Sequence, residues 1–271
     1  MINERICNGV MAGYGMFETI KKTREIGFKG IMLFPGGENH SHSLGEFATL
    51  NWYNAGKEEN ERLKEEIKYF KNITLHQAWD ERYKDWISCA KYFGAKVLTI
   101  HAGIARKPYF SDILKYKDIK IGIENEGGKL NDYMDMIGSI NSPHAGATID
   151  FGHCAYFEEV KTISDLDKRA KKLNEVILYL IERLNKKITH FHIHNVRKYK
   201  DIDFSKIPFP YWKENDFVDH RCVDEGLINY KEVFSLLKKI NYQGLFDIEL
   251  EEPQKEEKAK KSGEYITRLL Q

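Results

Sequence analysis

Short apolar runs with the character of β-strands alternate with longer helical patterns along the whole 271-residue chain, and we count eight such units. The predicted strands are residues 5–10, 30–34, 73–76, 97–101, 121–124, 147–150, 188–193 and 245–249. An open doubly wound sheet more often has about five to seven strands and a glycine-rich first turn. The chain contains neither GxGxxG nor GxxxxGK, so it predicts an α/β fold, a single (β/α)₈ TIM barrel over residues 1–271.

Two helices are predicted from local signals. An apolar stripe at steps of three and four predicts a helix that packs one face against the barrel; its residues are Leu166, Ala170, Leu173, Ile177, Leu180 and Leu184. A second helix is predicted to begin at Asn229, because Glu232 follows three residues later with the spacing of a capping box.

Charge and composition exclude some classes of partner. The 42 basic and 41 acidic residues give a net charge of +1, which provides no overall field for nucleic acid or an anionic membrane, although a local basic patch stays open. No apolar segment approaches the roughly 18 residues of a membrane span, and the N-terminus lacks a basic and apolar leader pattern. We therefore expect a cytoplasmic protein. The four cysteines show no CxxC spacing and are expected to be buried thiols.

Six of the apolar runs end on a residue that can bind a metal: His76, His101, Glu124, Asp150, His192 and Glu249. One such residue alone is often a packing histidine or a helix cap. The ends of barrel strands converge on one mouth, however, and six partly desolvated polar groups there would cost free energy unless they are paired or bound to metal. Because the set contains carboxylates and imidazoles without thiolates, it predicts Mn²⁺, Mg²⁺ or Zn²⁺ in a catalytic site with an open position.

These strand ends resemble the xylose isomerase-like TIM-barrel superfamily, which includes sugar epimerases, sugar-acid dehydratases and endonuclease IV. The resemblance covers nearly the whole chain. Its motifs are Leu75-His76, Ile100-His101-Ala102-Gly103, Gly122-Ile123-Glu124-Asn125, Thr148-Ile149-Asp150-Phe151-Gly152-His153, Phe191-His192-Ile193-His194-Asn195, and Tyr242-Gln243-Gly244 followed by Ile248-Glu249.

Similarity to the epimerase-like members implies one Mn²⁺-type ion held by Glu124, Asp150, His192 and Glu249. It further implies that His153 touches a substrate hydroxyl and that a basic residue steadies a hydroxyl or a phosphate. Lys198 falls on the family's basic position and Arg197 lies one place before it.

Proton chemistry on a small carbohydrate substrate suits this residue set. A metal ion beside a sugar carbonyl acidifies the neighbouring C–H bond. Glu124 and Glu249 follow strands on different sides of the predicted mouth, so one could remove a proton and the other return it. We therefore expect aldose–ketose isomerisation or epimerisation; a dehydratase begins with the same proton abstraction and is a further alternative.

Similarity to endonuclease IV implies a different outcome, a site for up to three Zn²⁺ ions that cleaves abasic DNA. The candidate ligands are His76, His101, Glu124, Asp150, His153, His192, His220 and Glu249. Trp79 lies where the nuclease has an aromatic residue near the helix axis. Two positions depart from that pattern: Val218 replaces an aspartate, for which Asp219 is a candidate substitute, and Pro35-Gly36-Gly37 replaces an arginine.

His76 and His101 separate the two interpretations, because a multinuclear site requires both as ligands whereas a mononuclear sugar site can use them to line the pocket. We favour the single-ion interpretation, since the balanced charge does not favour many phosphate contacts. A barrel that binds a metabolite without catalysis is disfavoured by the intact Glu-Asp-His-Glu set.

Two long segments and one deeper histidine complete the predictions. Residues 34–43 and 194–228 are expected to form loops over the mouth, and the second contains Phe209, Tyr211 and Trp212, which would stack on a sugar or hold the loop to the barrel. His190 is expected to be a hydrogen-bonded core residue below His192.

Overall fold

A closed barrel of eight parallel strands forms the centre of the protein in a computed structural model that describes residues 1–9, 14–36, 40–42, 45–47, 50, 52–78, 80–203, 216–252 and 255–271. The strands of the described residues are β1 (Ile6–Asn8), β2 (Gly30–Leu33), β3 (His40–His42), β4 (Gly45–Phe47), β5 (Asn72–His76), β6 (Val97–His101), β7 (Lys120–Glu124), β8 (Ala145–Asp150), β9 (Ile188–Ile193), β10 (Asn195–Lys198), β11 (Phe217–Arg221) and β12 (Phe246–Ile248). Their order around the barrel is β1-β12-β9-β8-β7-β6-β5-β2, and β1 pairs with β2 to close it.

Helices follow the barrel strands and cover the outside. They are α1 (Met16–Ile26), α2 (Lys57–Ile67), α3 (Tyr83–Phe93), α4 (Ala102–Ala105), α5 (Phe110–Ile113), α6 (Leu130–Ser139), α7 (Glu158–Lys161), α8 (Leu166–Leu184), α9 (Tyr230–Lys239) and α10 (Lys255–Leu270). At least one helix lies between each barrel strand and the next along the chain. The predicted TIM barrel is therefore confirmed.

All eight predicted strands are present, with ends that differ from the prediction by a few residues. Two short antiparallel pairs, β3 with β4 and β10 with β11, were not predicted. β3, β10 and β11 lie in the two segments that we expected to be loops over the mouth, and β4 directly follows the first of these segments. The strands of these pairs have only three to five residues each, and β10 and β11 are far apart in sequence, so no hairpin turn signals their pairing.

The two helix predictions are also confirmed. The apolar stripe forms one face of α8, where Leu173, Ile177 and Leu180 are fully buried. Asn229 caps α9, because its side-chain oxygen accepts a hydrogen bond from the backbone N–H of Glu232 at 3.4 Å. Among the described residues, no helix combines the length and the apolar character needed to cross a membrane.

A layer of polar side chains lies one step below the mouth inside the barrel, where TIM barrels usually carry branched apolar residues. This inner polar layer consists of Thr74, Thr99, Thr148, His190 and Asp247, each at most 1% exposed. Thr74 donates to Asp247 at 2.6 Å although β5 and β12 are not neighbours, so the contact crosses the barrel interior. His190 lies 3.4 Å from Thr99 through Nδ1 and 3.1 Å from Asp247 through Nε2, which confirms it as a partnered core histidine.

Candidate metal centre

The six predicted strand-end ligands lie at the same mouth of the barrel. Four are the last residues of their strands: His76 of β5, His101 of β6, Glu124 of β7 and Asp150 of β8. His192 is the last residue but one of β9, and Glu249 directly follows β12. Because the eight strands are parallel, their C-terminal ends bring these side chains together, as the sequence predicted.

Three carboxylates and one imidazole lie together at this mouth: Glu124, Asp150, Glu249 and His192. One ligand atom from each lies within 4.8 Å of the others. His192 Nδ1 is 2.8 Å from Glu124 Oε1 and 3.2 Å from Glu249 Oε1. A divalent cation with bonds of about 2.1 Å keeps its ligands roughly 3 to 4 Å apart. This donor set therefore fits one divalent cation, and we call it the four-ligand group.

Electrostatics within the four-ligand group depend on His192. Burial alone would raise the pKa of Glu124, but His192 and His76 lower that pKa well below its usual range. Burial lowers the pKa of His192, whereas Glu249 and Glu124 raise it more, to about 10. Without a metal, the imidazolium of His192 thus supplies the positive charge that neighbouring carboxylates require.

Metal binding is therefore expected to release a proton. At pH 8, below the pKa of about 10, His192 is protonated, and a metal must displace that proton before Nδ1 can act as a ligand. We expect about one proton released per metal and an apparent affinity that rises about tenfold per pH unit from pH 7 to 9. Calorimetric titration in buffers with different ionisation enthalpies measures the release; a heat independent of the buffer would contradict this prediction.

A second group of donors shares Asp150 and contains His153, His194 and His220, again with ligand atoms within 4.8 Å of one another. The sequence indicated His153 and His220, but we did not predict His194. His194 Nδ1 accepts a hydrogen bond from the backbone N–H of His220 at 2.8 Å, so its Nε2 carries the proton in the neutral ring. That Nε2–H donates to Asp150 Oδ2 at 2.8 Å. His194 thus orients Asp150, which is a member of the four-ligand group.

Asp219, the candidate substitute for the aspartate that Val218 replaces, lies beside three side chains of the mouth. Its Oδ1 lies 3.2 Å from His220 Nδ1, and its Oδ2 lies 3.9 Å from His153 Nε2 and accepts a hydrogen bond from Tyr156 at 2.7 Å. Successive side chains of a strand normally point to opposite faces. His220 has a left-handed backbone, with φ of 53°, and this conformation lets both Asp219 and His220 reach the mouth.

His76 and His101 both approach one oxygen of Glu124. Nε2 of His76 lies 3.0 Å from Glu124 Oε2, and Nε2 of His101 lies 3.5 Å from the same atom. The compact group that contains His76 is completed by Glu124 and His192. Burial and the neighbouring His76 lower the pKa of His101, which favours the neutral imidazole that a metal or a substrate oxygen would meet.

The structure does not bring the predicted basic residues to the four-ligand group. Lys198 and Arg197 lie in β10; Nζ of Lys198 contacts Asp167 at 2.5 Å, and Arg197 donates to the backbone oxygen of Asp201 at 2.7 Å. Trp79 lies outside the described residues, as do Phe209, Tyr211 and Trp212. Their proposed contacts with substrate stay predictions.

Gly152 leaves room for His194, and this gives a test of the second group. A Cβ at Gly152 would lie 2.0 Å from Cε1 and 2.5 Å from Nδ1 of His194, whose ring is fully buried. We expect G152A to displace the ring and to lower the free energy of unfolding by about 1–3 kcal/mol in urea titrations. G138A is the matched control, because a Cβ at this position in α6 meets nothing within 4 Å. Equal free energies of unfolding for G152A and wild type would contradict the close packing of Gly152 against the ring of His194.

The family profile described as xylose isomerase-like TIM barrel matches residues 20–269, and the chain belongs to this family. A D-tagatose 3-epimerase-like protein has a similar structure, with a TM-score of 0.63, 18% sequence identity and 97% of each chain covered. A xylose isomerase-like TIM barrel protein from Mycobacterium smegmatis in complex with magnesium gives 0.62 at 13% identity, covering 100% of this chain and 98% of that one. An L-ribulose 3-epimerase gives 0.59 at 11% identity, covering 98% and 93%. At these identities the structural likeness concerns the fold. A search of curated proteins finds no matching sequence.

Proposed function

We propose that this protein is a divalent-metal-dependent isomerase or epimerase that acts on a sugar or a sugar derivative. The observation that carries the proposal is the four-ligand group, in which three buried or nearly buried carboxylates and one imidazole lie within 4.8 Å of one another at the barrel mouth. The names of two similar structures, a tagatose epimerase-like protein and a ribulose epimerase, support the substrate class. Mn²⁺, Zn²⁺ and Mg²⁺ all suit this donor set.

Glu124, Asp150, His192 and Glu249 would hold the metal, which when bound supplies Lewis-acid polarisation of a carbonyl and its neighbouring hydroxyl. Of Glu124 and Glu249, one would then remove the proton from the carbon beside the carbonyl, and the other would return a proton. Both contact His192 Nδ1 through Oε1, and their side chains differ in exposure, 1% for Glu124 and 12% for Glu249. This difference in environment is the kind that separates the pKa values of an acid and a base.

The partly exposed side chains around the group form the surface that a substrate meets. The side chains of His101, His153 and His220 are 23%, 20% and 15% exposed, respectively. The backbone N–H of His153 donates to Asp150 Oδ1 at 2.7 Å, which fixes its position beside the ligands. In this proposal the side chain of His153 donates to or accepts from a sugar hydroxyl, which is the role that the family resemblance implies.

The test combines metal content with proton exchange. We expect about one divalent metal per chain and metal-dependent incorporation of solvent deuterium at the carbon beside the carbonyl, measured by NMR over a panel of ketoses and their phosphates. A protein with one metal and no exchange into any member of the panel would contradict the proposal. Exchange accompanied by loss of water would identify the related sugar-acid dehydratase.

A second candidate function, a multi-zinc phosphodiesterase acting on abasic DNA, is favoured by one observation. His153 and His220 lie in the group that shares Asp150 with the four-ligand group, and His76 and His101 converge on Glu124, so the mouth has donors for more than one ion. Three zinc ions per chain together with nicking of an abasic duplex would favour this function over the first. The net charge of +1 is the reason to rank it second.

A further inference from the structure

Asp247 is a fully buried carboxylate directly beneath the proposed metal centre. It pairs in register with His192 of the neighbouring strand, with Asp247 in β12 and His192 in β9. Its Oδ2 accepts a hydrogen bond from Thr74 at 2.6 Å and lies 3.1 Å from Nε2 of His190.

His192 connects this carboxylate to the four-ligand group. Ligand atoms of His190, His192 and Asp247 lie within 4.8 Å of one another. Nδ1 of His192 faces Glu124 and Glu249, so Nε2 is the nitrogen left for a partner in the inner polar layer. Among the described residues, neither Nε2 of His192 nor Oδ1 of Asp247 has a hydrogen-bond partner, and both atoms are buried.

A neutral imidazole that gives the lone pair of one nitrogen to a metal carries its proton on the other nitrogen. A buried N–H without an acceptor costs free energy, and so does a buried carboxylate oxygen without a donor. We propose that Asp247 is a positioning residue for the metal centre: its Oδ1 accepts the proton of His192 Nε2–H through one bridging water, and so fixes the ring with Nδ1 toward the metal. Thr74 holds the same carboxylate by a hydrogen bond to Oδ2, and Nε2 of His190 lies 3.1 Å from that oxygen.

The inference rests on the proposed function to the extent that His192 binds a metal. The alternative is that the inner polar layer only fills the barrel. A filling role affects stability, whereas a positioning role affects the affinity of the folded protein for metal, and the two can be measured separately.

The experiment compares the Zn²⁺ dissociation constants of wild type and D247N by competition with a chromogenic chelator. Loss of a carboxylate that orients a metal-binding histidine is expected to weaken affinity by about 10- to 100-fold. T148V is the matched control, because Thr148 belongs to the same layer, is equally buried, and its hydroxyl has no hydrogen-bond partner among the described residues. We expect its affinity to stay within about threefold of wild type. Unfolding in the presence of chelator gives the stability of each variant without metal.

The outcomes separate the two proposals. If wild type binds zinc and D247N binds it within about threefold, the inference is wrong and the proposed function stands. If wild type binds no metal, both are wrong. Should D247N not fold, nitrogen-15 NMR of histidines in the zinc-loaded wild type decides: a slowly exchanging, downfield proton on Nε2 of His192 supports the inference, and its absence overturns it.

Discussion

Replacing Glu124 with glutamine is expected to reduce the turnover number for deuterium exchange by about 10³-fold, which lies within the usual range for loss of a general acid or base. The substitution keeps the size of the side chain but removes the charge that faces His76, His101 and His192. Glutamine can neither accept the substrate proton nor bind the metal as an anion, so both binding and chemistry are affected. Steady-state exchange rates at saturating metal measure the effect.

E126Q is the matched control for E124Q. Glu126 lies two residues further along the chain, its side chain is 41% exposed, and it contacts Nδ1 of His101 at 3.1 Å outside the four-ligand group. We expect E126Q to keep activity within about tenfold of wild type, because Glu126 contacts one pocket histidine and the backbone N–H of Gly103, from which a glutamine oxygen can still accept a hydrogen bond. An E124Q protein that folds and retains a tenth or more of the wild-type rate would rule out a catalytic Glu124.

Removal of the metal is expected to abolish activity and to lower the melting temperature by about 10 °C. A metal present at about 1,000 times its dissociation constant stabilises the folded state by about 4 kcal/mol. In a domain of this size each kcal/mol shifts the melting temperature by roughly 2–4 °C. The physical reason is that Glu124, Asp150 and Glu249 are crowded in a buried site, where a divalent cation offsets their repulsion.

The control for metal removal is a protein in which the ligand set is incomplete. D150N removes one carboxylate of the four-ligand group and weakens the site, so chelator should change its melting temperature much less than that of wild type. Mn²⁺, Zn²⁺ and Mg²⁺ are then added back one at a time to the metal-free wild type. The native metal should restore both the activity and the melting temperature. Equal melting temperatures of wild type with and without chelator would contradict a metal at this site.

The barrel and its main ligands could be predicted because their signals are local. Each barrel strand is an apolar run, and residues such as Glu124 and Asp150 are the last residues of their strands. Because the strands are parallel, these residues all lie at the same mouth of the barrel. The predicted pairing of Asn229 with Glu232 at the start of α9 is equally local. Once the eight strands are placed, the convergence of the ligands follows from the fold.

Other parts of the site depend on geometry that one sequence does not contain. Asp219 reaches the mouth together with His220 because His220 has a positive φ. A histidine in the sequence does not by itself indicate that backbone conformation. His194 continues the alternation of His190 and His192, but its contact with Asp150 depends on how β9 ends. Lys198 has a long side chain that can reach several neighbours, and its pairing with Asp167 of α8 decides its direction.

Anomalous diffraction from crystals grown with Mn²⁺ or Zn²⁺ tests the central claim most directly, because it locates the metal by its own absorption edge. We predict a peak about 2.0–2.3 Å from His192 Nδ1 and from a carboxylate oxygen of each of Glu124, Asp150 and Glu249. Data without a peak among these four side chains, with the metal bound elsewhere or not at all, would contradict the account.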